Sequence, residues 1–250
     1  MRHSPQIWTS EALISHSFGP LRWIIDDLLP VGGIGLMYGK RGCGKSNLAF
    51  TLLCNILDSE PFLGHHRCQA TKMMYLSVDM PEQAVQERVQ KAFPDAPDRI
   101  LWALHSAPFD IMAESENAAW LLAARRFAPS LVVVDTSRKC HLMDENVSTT
   151  PTVLYKRLKE LFPEGTTFLI LHHDNKTVPK FQAPEDESFS GSGAWINGAD
   201  LGIYLRRIVN KLAPKELVHQ ANIARYRFTE APEGNRMRLN AKRMVMEVDD

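Results

Sequence analysis

Gly39-Lys40-Arg41-Gly42-Cys43-Gly44-Lys45-Ser46 follows the spacing G-x-x-x-x-G-K-S. That order of residue types suits the grip of a polyphosphate. The glycines let the backbone turn tightly, so that consecutive N–H groups point at phosphate oxygens. Lys45 can reach the β- and γ-phosphates, and the Ser46 hydroxyl can ligate Mg²⁺. Gly39, Arg41, Gly42, Cys43, Gly44, Lys45, Ser46 and Asn47 are therefore the expected ATP-binding residues. Cys43 reads as a small residue that fits the turn.

Hydrolysis needs more than a phosphate cradle. A second acidic group must stand near the metal, and Leu131-Val132-Val133-Val134-Asp135 supplies one after four apolar strand residues. Ligands sit at the carboxyl ends of such strands, so Asp135 is expected to hold Mg²⁺ through water, with Ser46 as the other metal-side residue. A strand-end aspartate capping a turn is the plain alternative. Something must also orient and deprotonate the attacking water. Asp79, which ends the strand Met73–Val78, expected by sequence order to lie beside the phosphate-loop strand, is the candidate base; it could instead cap the helix that opens at Pro81, or do both. Leu171-His172-His173-Asp174 ends another apolar strand. His173 is the candidate γ-phosphate sensor there, with a structural role or metal binding as alternatives, the latter lacking a third ligand at convincing spacing. Arg225-Tyr226-Arg227 falls late, on or after an expected strand. Arg225 and Arg227 suit the arginines that complete a neighbouring subunit's ATP site in ring motors, Arg206-Arg207 is a second such pair, and a solvated basic strand edge is the alternative.

These residues need a scaffold that brings strand ends together. The strand candidates are 34–38, 73–77, 100–104, 131–134 and 167–171, and the helix candidates lie near 45–58, 81–93, 115–127 and 151–162. Pro81-Glu82 makes a good first turn, and Ser148-Thr149-Thr150 offers hydroxyl caps before Pro151. Short apolar runs separated by helices predict an α/β fold, a mostly parallel central sheet with helices on both faces. After residue 195 the runs 201–205, 218–224 and 236–239 predict an antiparallel extension of the same sheet. One segment, 174–193, reads as a functional or mobile loop. Residues 1–25 form an N-terminal segment, and 26–250 a single domain.

Composition removes several function classes. With 250 residues, 44% of them apolar, and a formal charge of +0, the chain can build a core but is no polycation. Any nucleic-acid contact must come from local loops. Cys43, Cys54, Cys68 and Cys140 form no C-x-x-C pair, so neither a zinc knuckle nor a disulfide framework is implied. His65-His66-Arg67-Cys68 reads as a surface loop. No apolar run reaches transmembrane length and Met1-Arg2-His3-Ser4-Pro5 opens no secretory signal, so no membrane partner and a cytoplasmic location are expected.

With these motifs in hand, the chain resembles the RecA-like motor family from about residue 20 to 230, and is most similar to the plasmid RepA type of hexameric replicative helicase. Pro61-Phe62-Leu63-Gly64 followed by Tyr75-Leu76-Ser77-Val78-Asp79-Met80-Pro81 resembles the segment carrying that family's catalytic glutamate; here the acid is Asp79. Residues 135–146 are similar to its Walker B strand and following loop, and 171–176 to its sensor-histidine motif. Ser190-Gly191-Ser192-Gly193-Ala194 resembles the turn that follows, with Ser190 in place of arginine. Asp200 stands at the position of the RepA-type intersubunit arginine, whereas Arg225 and Arg227 match the later K-x-R strand that other RecA-like relatives use in trans.

The resemblance implies a RecA-like fold, ATP and Mg²⁺ as cofactors, self-association as a homohexamer, and single-stranded nucleic acid as partner. The loops after the Walker B and sensor strands line the central channel in that family. Here they hold Arg138, Lys139, His141, Lys176 and Lys180, the implied nucleic-acid-binding residues. Ordinary solvated loops are the alternative, and Glu185-Asp186-Glu187 opposes a phosphate track. The functional expectation is an ATP-hydrolysing helicase or translocase. The alternatives are a regulatory ATPase switch that binds a protein partner, or a recombination mediator; a small-molecule kinase lacks a visible lid or acceptor pocket.

Overall fold

Ile34–Gly39 has no charged residue, and every position along it is buried. A strand covered on both faces reads this way because helices pack above and below it. The computed structural model describes residues 6–95, 97–105, 109–173, 193–209, 217–226, 235–240 and 245–248. Its elements run α1 (Ser10–Ser15), β1 (Trp23–Ile25), β2 (Leu29–Pro30), β3 (Ile34–Gly39), α2 (Lys45–Asp58), β4 (Met73–Ser77), α3 (Glu82–Ala92), β5 (Ile100–Leu104), α4 (Ala119–Phe127), β6 (Leu131–Asp135), α5 (Thr150–Leu161), β7 (Thr167–His173), α6 (Ala194–Asn197), β8 (Leu201–Val209), β9 (Leu217–Tyr226), β10 (Asn235–Asn240) and β11 (Val245–Val248).

β1 and β2 form a small hairpin, and the other nine strands make one sheet in the order β11-β10-β9-β8-β3-β7-β6-β4-β5. From β8 to β5 neighbouring strands are parallel; from β8 to β11 they are antiparallel. Alternate residues feed opposite layers, as a pleat of period two requires. Met73 and Tyr75 join the apolar layer under α2, while Met74 and Leu76 join the layer under α4 and α5. This is the α/β architecture read from the sequence, with a RecA-like mostly parallel sheet and an antiparallel C-terminal extension.

Several details differ from the sequence reading. β8 runs parallel to β3, so the antiparallel extension begins one strand later, at β9. β4 does not lie beside β3, because β7 and β6 intervene. Helix α4 starts at Ala119 rather than near 115. The hydroxyl caps of α5 are not used: Thr149 makes no side-chain cap bond, and Thr150 Oγ1 donates to the Asp144 carbonyl at 2.6 Å. The segment 174–192, with Lys176, Lys180 and Ser190, lies outside the described residues, as does Arg227. α1 buries none of its residues, and Ile7 and Ile14 are 94% and 85% exposed.

The extension bears directly on the phosphate loop. β8 pairs with β3 only as far as Tyr38↔Tyr204, yet continues with β9 to Val209↔Leu217. It thus passes beyond the end of β3 and over the loop. Gly39 sits at that crossing with φ 153°, and a Cβ there would collide with the Leu205 carbonyl oxygen. Gly39→Ala is therefore expected to cost at least about 2 kcal/mol, from backbone strain plus overpacking against main chain that cannot rotate away. A drop in Tm and in the denaturation midpoint would register it.

Candidate active site

The loop between β3 and α2 ends at Gly44, whose φ of 97° is left-handed, and no side chain caps α2. The N-terminus of α2, with the helix dipole behind it, therefore faces the cleft as an anion site. The expected cradle residues Arg41, Gly42, Gly44, Lys45, Ser46 and Asn47 all line one cleft of about 520 Å³. Gly39 and Cys43 sit beneath it. Cys43 is buried, and burial pushes its thiol pKa up despite nearby Lys45, so it stays a neutral packing residue.

Three other strand ends reach the same cleft. Asp79 beyond β4, Asp135 at the end of β6 and His173 at the end of β7 all line it. Lys45 Nζ donates to the Gly39 carbonyl at 2.8 Å, the Lys40 carbonyl at 3.1 Å and His173 Nδ1 at 3.2 Å. His173 Nε2 lies 3.7 Å from Asp79 Oδ2. Burial lowers the His173 pKa, and the Lys45 charge lowers it further, so the ring is neutral and can accept at Nδ1. His172, one residue earlier, points to the opposite face, shares a 2.8 Å hydrogen bond with Ser137 Oγ and stacks on Trp195. It is structural.

Ser46 Oγ donates to Asp135 Oδ2 at 2.8 Å. Burial pushes the Asp135 carboxyl up, while hydrogen bonds from Tyr75 and Ser46 pull it back. Among the described residues no group of three or more His, Cys, Asp or Glu could cage a metal. A hydroxyl and a carboxylate converging beside a phosphate cradle instead fit Mg²⁺, which takes hard oxygen donors, keeps several waters and shares its shell with substrate phosphates. The residues present fit that ion.

Sequence reasoning missed Arg88, His219 and Tyr75 as contributors, and gave Arg207 to a neighbouring site. Arg88 of α3 and Arg207 of β8 line the cleft, and among the described residues neither makes an ion pair. His219 of β9 also lines it; its Nδ1–H donates to the Cys43 carbonyl at 2.7 Å and braces the loop. Tyr75 of β4 donates to Asp135 Oδ2 at 2.6 Å. No local motif marks these residues, because strand order alone carries them to the loop. Arg207, proposed for a neighbour's site, faces its own chain's cleft. Arg225 lies in β9, with its side chain outside the described residues.

The implied nucleic-acid residues divide. Arg138 and Lys139 are exposed on the short turn after β6, and Arg138 Nη1 pairs with Glu145 Oε2 at 2.7 Å. His141 corrects the expectation. Its ring is buried, stacked 5.9 Å from Trp195, and its pKa is lowered chiefly by burial, so it packs the core and offers no surface contact.

Buried histidines give the fold an acid-side weakness. His219 is pushed below its ordinary 6.5, mainly by burial, with its bond to Cys43 opposing. The unfolded chain therefore takes up the proton first. This contribution to stability is fully present above 6.5 and is lost as pH falls towards the depressed folded value. His219→Gln keeps a donor for Cys43 but does not titrate. The drop in Tm between about pH 7.5 and about pH 5.5 should be smaller in that variant than in the parent.

Among the described residues no helix is long and apolar enough to cross a membrane. Compared with known families, residues 2–178 match AAA_25, described as an AAA domain, which is more than two thirds of the chain. The phosphate cradle at the end of β3 falls inside that match, as do the acids beyond β4 and at the end of β6. The chain belongs to the AAA_25 family of RecA-like P-loop ATPases.

Proposed function

We propose that this protein is an ATP-driven motor that self-associates into a ring and acts on single-stranded DNA, in the manner of RepA-type helicases. The observation that carries the ATPase half is the convergence of Lys45, Ser46, Asp79, Asp135 and His173 on one cleft. The amides at the start of α2 and the Lys45 ammonium hold the phosphates. Ser46 and Asp135 would hold Mg²⁺, which supplies charge neutralisation across the β- and γ-phosphates. Asp79 Oδ2 accepts a proton from the attacking water, and His173, hydrogen-bonded to Lys45, senses the γ-phosphate. Arg88 lines the same cleft and is the proposed source of positive charge for the transition state.

Support for the motor half comes from placement. The turn after β6 leaves the sheet at a strand end that forms the ATP cleft, so nucleotide state can bias it. It presents Arg138 and Lys139 to solvent. The exposed apolar side chains of the N-terminal segment suit contact with a second copy, and Arg225 and Arg227 remain the proposed trans-acting pair. The deciding experiment measures ATPase rate with and without single-stranded DNA, alongside solution mass and strand separation. Stimulation by DNA in a ring-sized assembly supports the motor. Unstimulated hydrolysis by a monomer overturns it.

A regulatory switch is the second reading. Its support is the Arg138–Glu145 pair, which ties the cationic turn after β6 to its own protein, together with an aspartate where RepA-type enzymes carry glutamate. Tight ATP binding with negligible turnover would favour it.

A further inference from the structure

Tyr75 is fully buried in the middle of β4. It pairs with Val133 of β6, so Asp135, two residues further on, projects from the same face of the sheet. The phenol hydroxyl crosses to Asp135 Oδ2 at 2.6 Å. A buried tyrosine hydroxyl needs a partner, and this one has the site's central carboxylate. The ring is clamped by Phe50, edge-on at 5.1 Å, and by Trp102 at 5.5 Å. Phe50 lies one helical turn after Ser46 on α2, so the cluster sits beside the phosphate loop.

Two hydroxyls thus share one oxygen, because Ser46 Oγ also donates to Asp135 Oδ2. Their fates differ once nucleotide binds. The Ser46 hydroxyl is the one group of the pair that can turn to a metal ion beside the phosphates. Its departure removes a hydrogen bond from a buried carboxylate, and the remaining one must keep that carboxylate from rotating.

We infer that Tyr75 is a positioning residue for the metal–nucleotide complex: its hydroxyl holds Asp135 in place while Ser46 exchanges Asp135 for the metal. The inference rests on the Mg²⁺–ATP reading of the cleft. Tyr75→Phe removes the hydroxyl and keeps the ring. The measurement is binding of a fluorescent ATP analogue, first in EDTA and then during titration with magnesium chloride. In Tyr75→Phe the Mg²⁺ concentration for half-saturation should rise about tenfold or more, as for other groups that orient metal-side ligands, with analogue affinity in EDTA unchanged. Phe50→Leu serves as the packing control. It loosens the same cluster but keeps the hydroxyl, so it should lower Tm and leave the Mg²⁺ half-saturation within about twofold.

Parental half-saturation in Tyr75→Phe overturns the inference and leaves the cleft assignment standing. An equal shift in Phe50→Leu also overturns it, since packing would then explain the effect. If the parent protein binds the analogue no better with Mg²⁺ than in EDTA, the cleft assignment itself fails and takes the inference with it. Should Tyr75→Phe not fold, replacing Tyr75 with 3-fluorotyrosine keeps the ring and strengthens the donor. Half-saturation should then fall, and an unchanged value overturns the proposal.

Discussion

Lys45→Ala is expected to abolish productive nucleotide binding and to lower ATPase turnover at least about 10²–10³-fold. The side chain is almost wholly buried and is the hub of the site, tied to two loop carbonyls and to His173. Alanine removes the cation that faces the phosphates. It also leaves the Gly39 and Lys40 carbonyls without that donor and frees His173, whose pKa the Lys45 charge helps to lower. Nucleotide affinity by equilibrium fluorescence and turnover by phosphate release provide the check. Parental ATPase activity in this variant would remove the phosphate-loop assignment and every role derived from it.

Asp79→Asn should behave differently, sparing nucleotide binding while lowering turnover about 10²–10⁴-fold. Asparagine has nearly the same volume, and Asp79 touches neither the loop amides nor the hydroxyl expected at the metal. What changes is the loss of a carboxylate that can take a proton from water. The Asp79 side chain is 25% exposed, open enough for a water to reach it and close enough to His173 to be oriented. Unchanged binding with a collapsed rate marks a group that acts in the chemical step. Retained hydrolysis would move the role of base elsewhere, with exposed Glu82 at the start of α3 the next residue to test. The pair of variants also separates the two functional readings. A switch that hydrolyses little would show the Lys45 effect on binding and almost no Asp79 effect on rate.

The division between what was legible and what was not follows range. The phosphate loop, the apolar strands and the acid at the end of β6 are local patterns. Each is written within about ten consecutive residues, because a tight anion-binding turn and a doubly covered strand impose composition at fixed spacing. The same locality sets the misreadings. A histidine in a basic stretch was expected at a surface, yet His141 is buried against Trp195, some fifty residues away, which no local pattern encodes. Hydroxyls before Pro151 were expected to cap α5, but Thr150 is already inside the helix and its hydroxyl donates to the Asp144 carbonyl.

Sequence alone determined the chemistry offered by this chain: a phosphate cradle, a lysine, a hydroxyl, two strand-end acids and a histidine, on an α/β frame. Tertiary structure decided the company they keep. Placing β7 and β6 between β3 and β4 puts His173 and Asp135 between the loop and Asp79, and it lets Tyr75 reach Asp135. Extending β8 and β9 past β3 brings Arg207 and His219 over the loop. Such contacts join residues up to 176 positions apart. They depend on which strands pair, a choice made by burial of whole faces and by chain connectivity, and no window of sequence holds both partners.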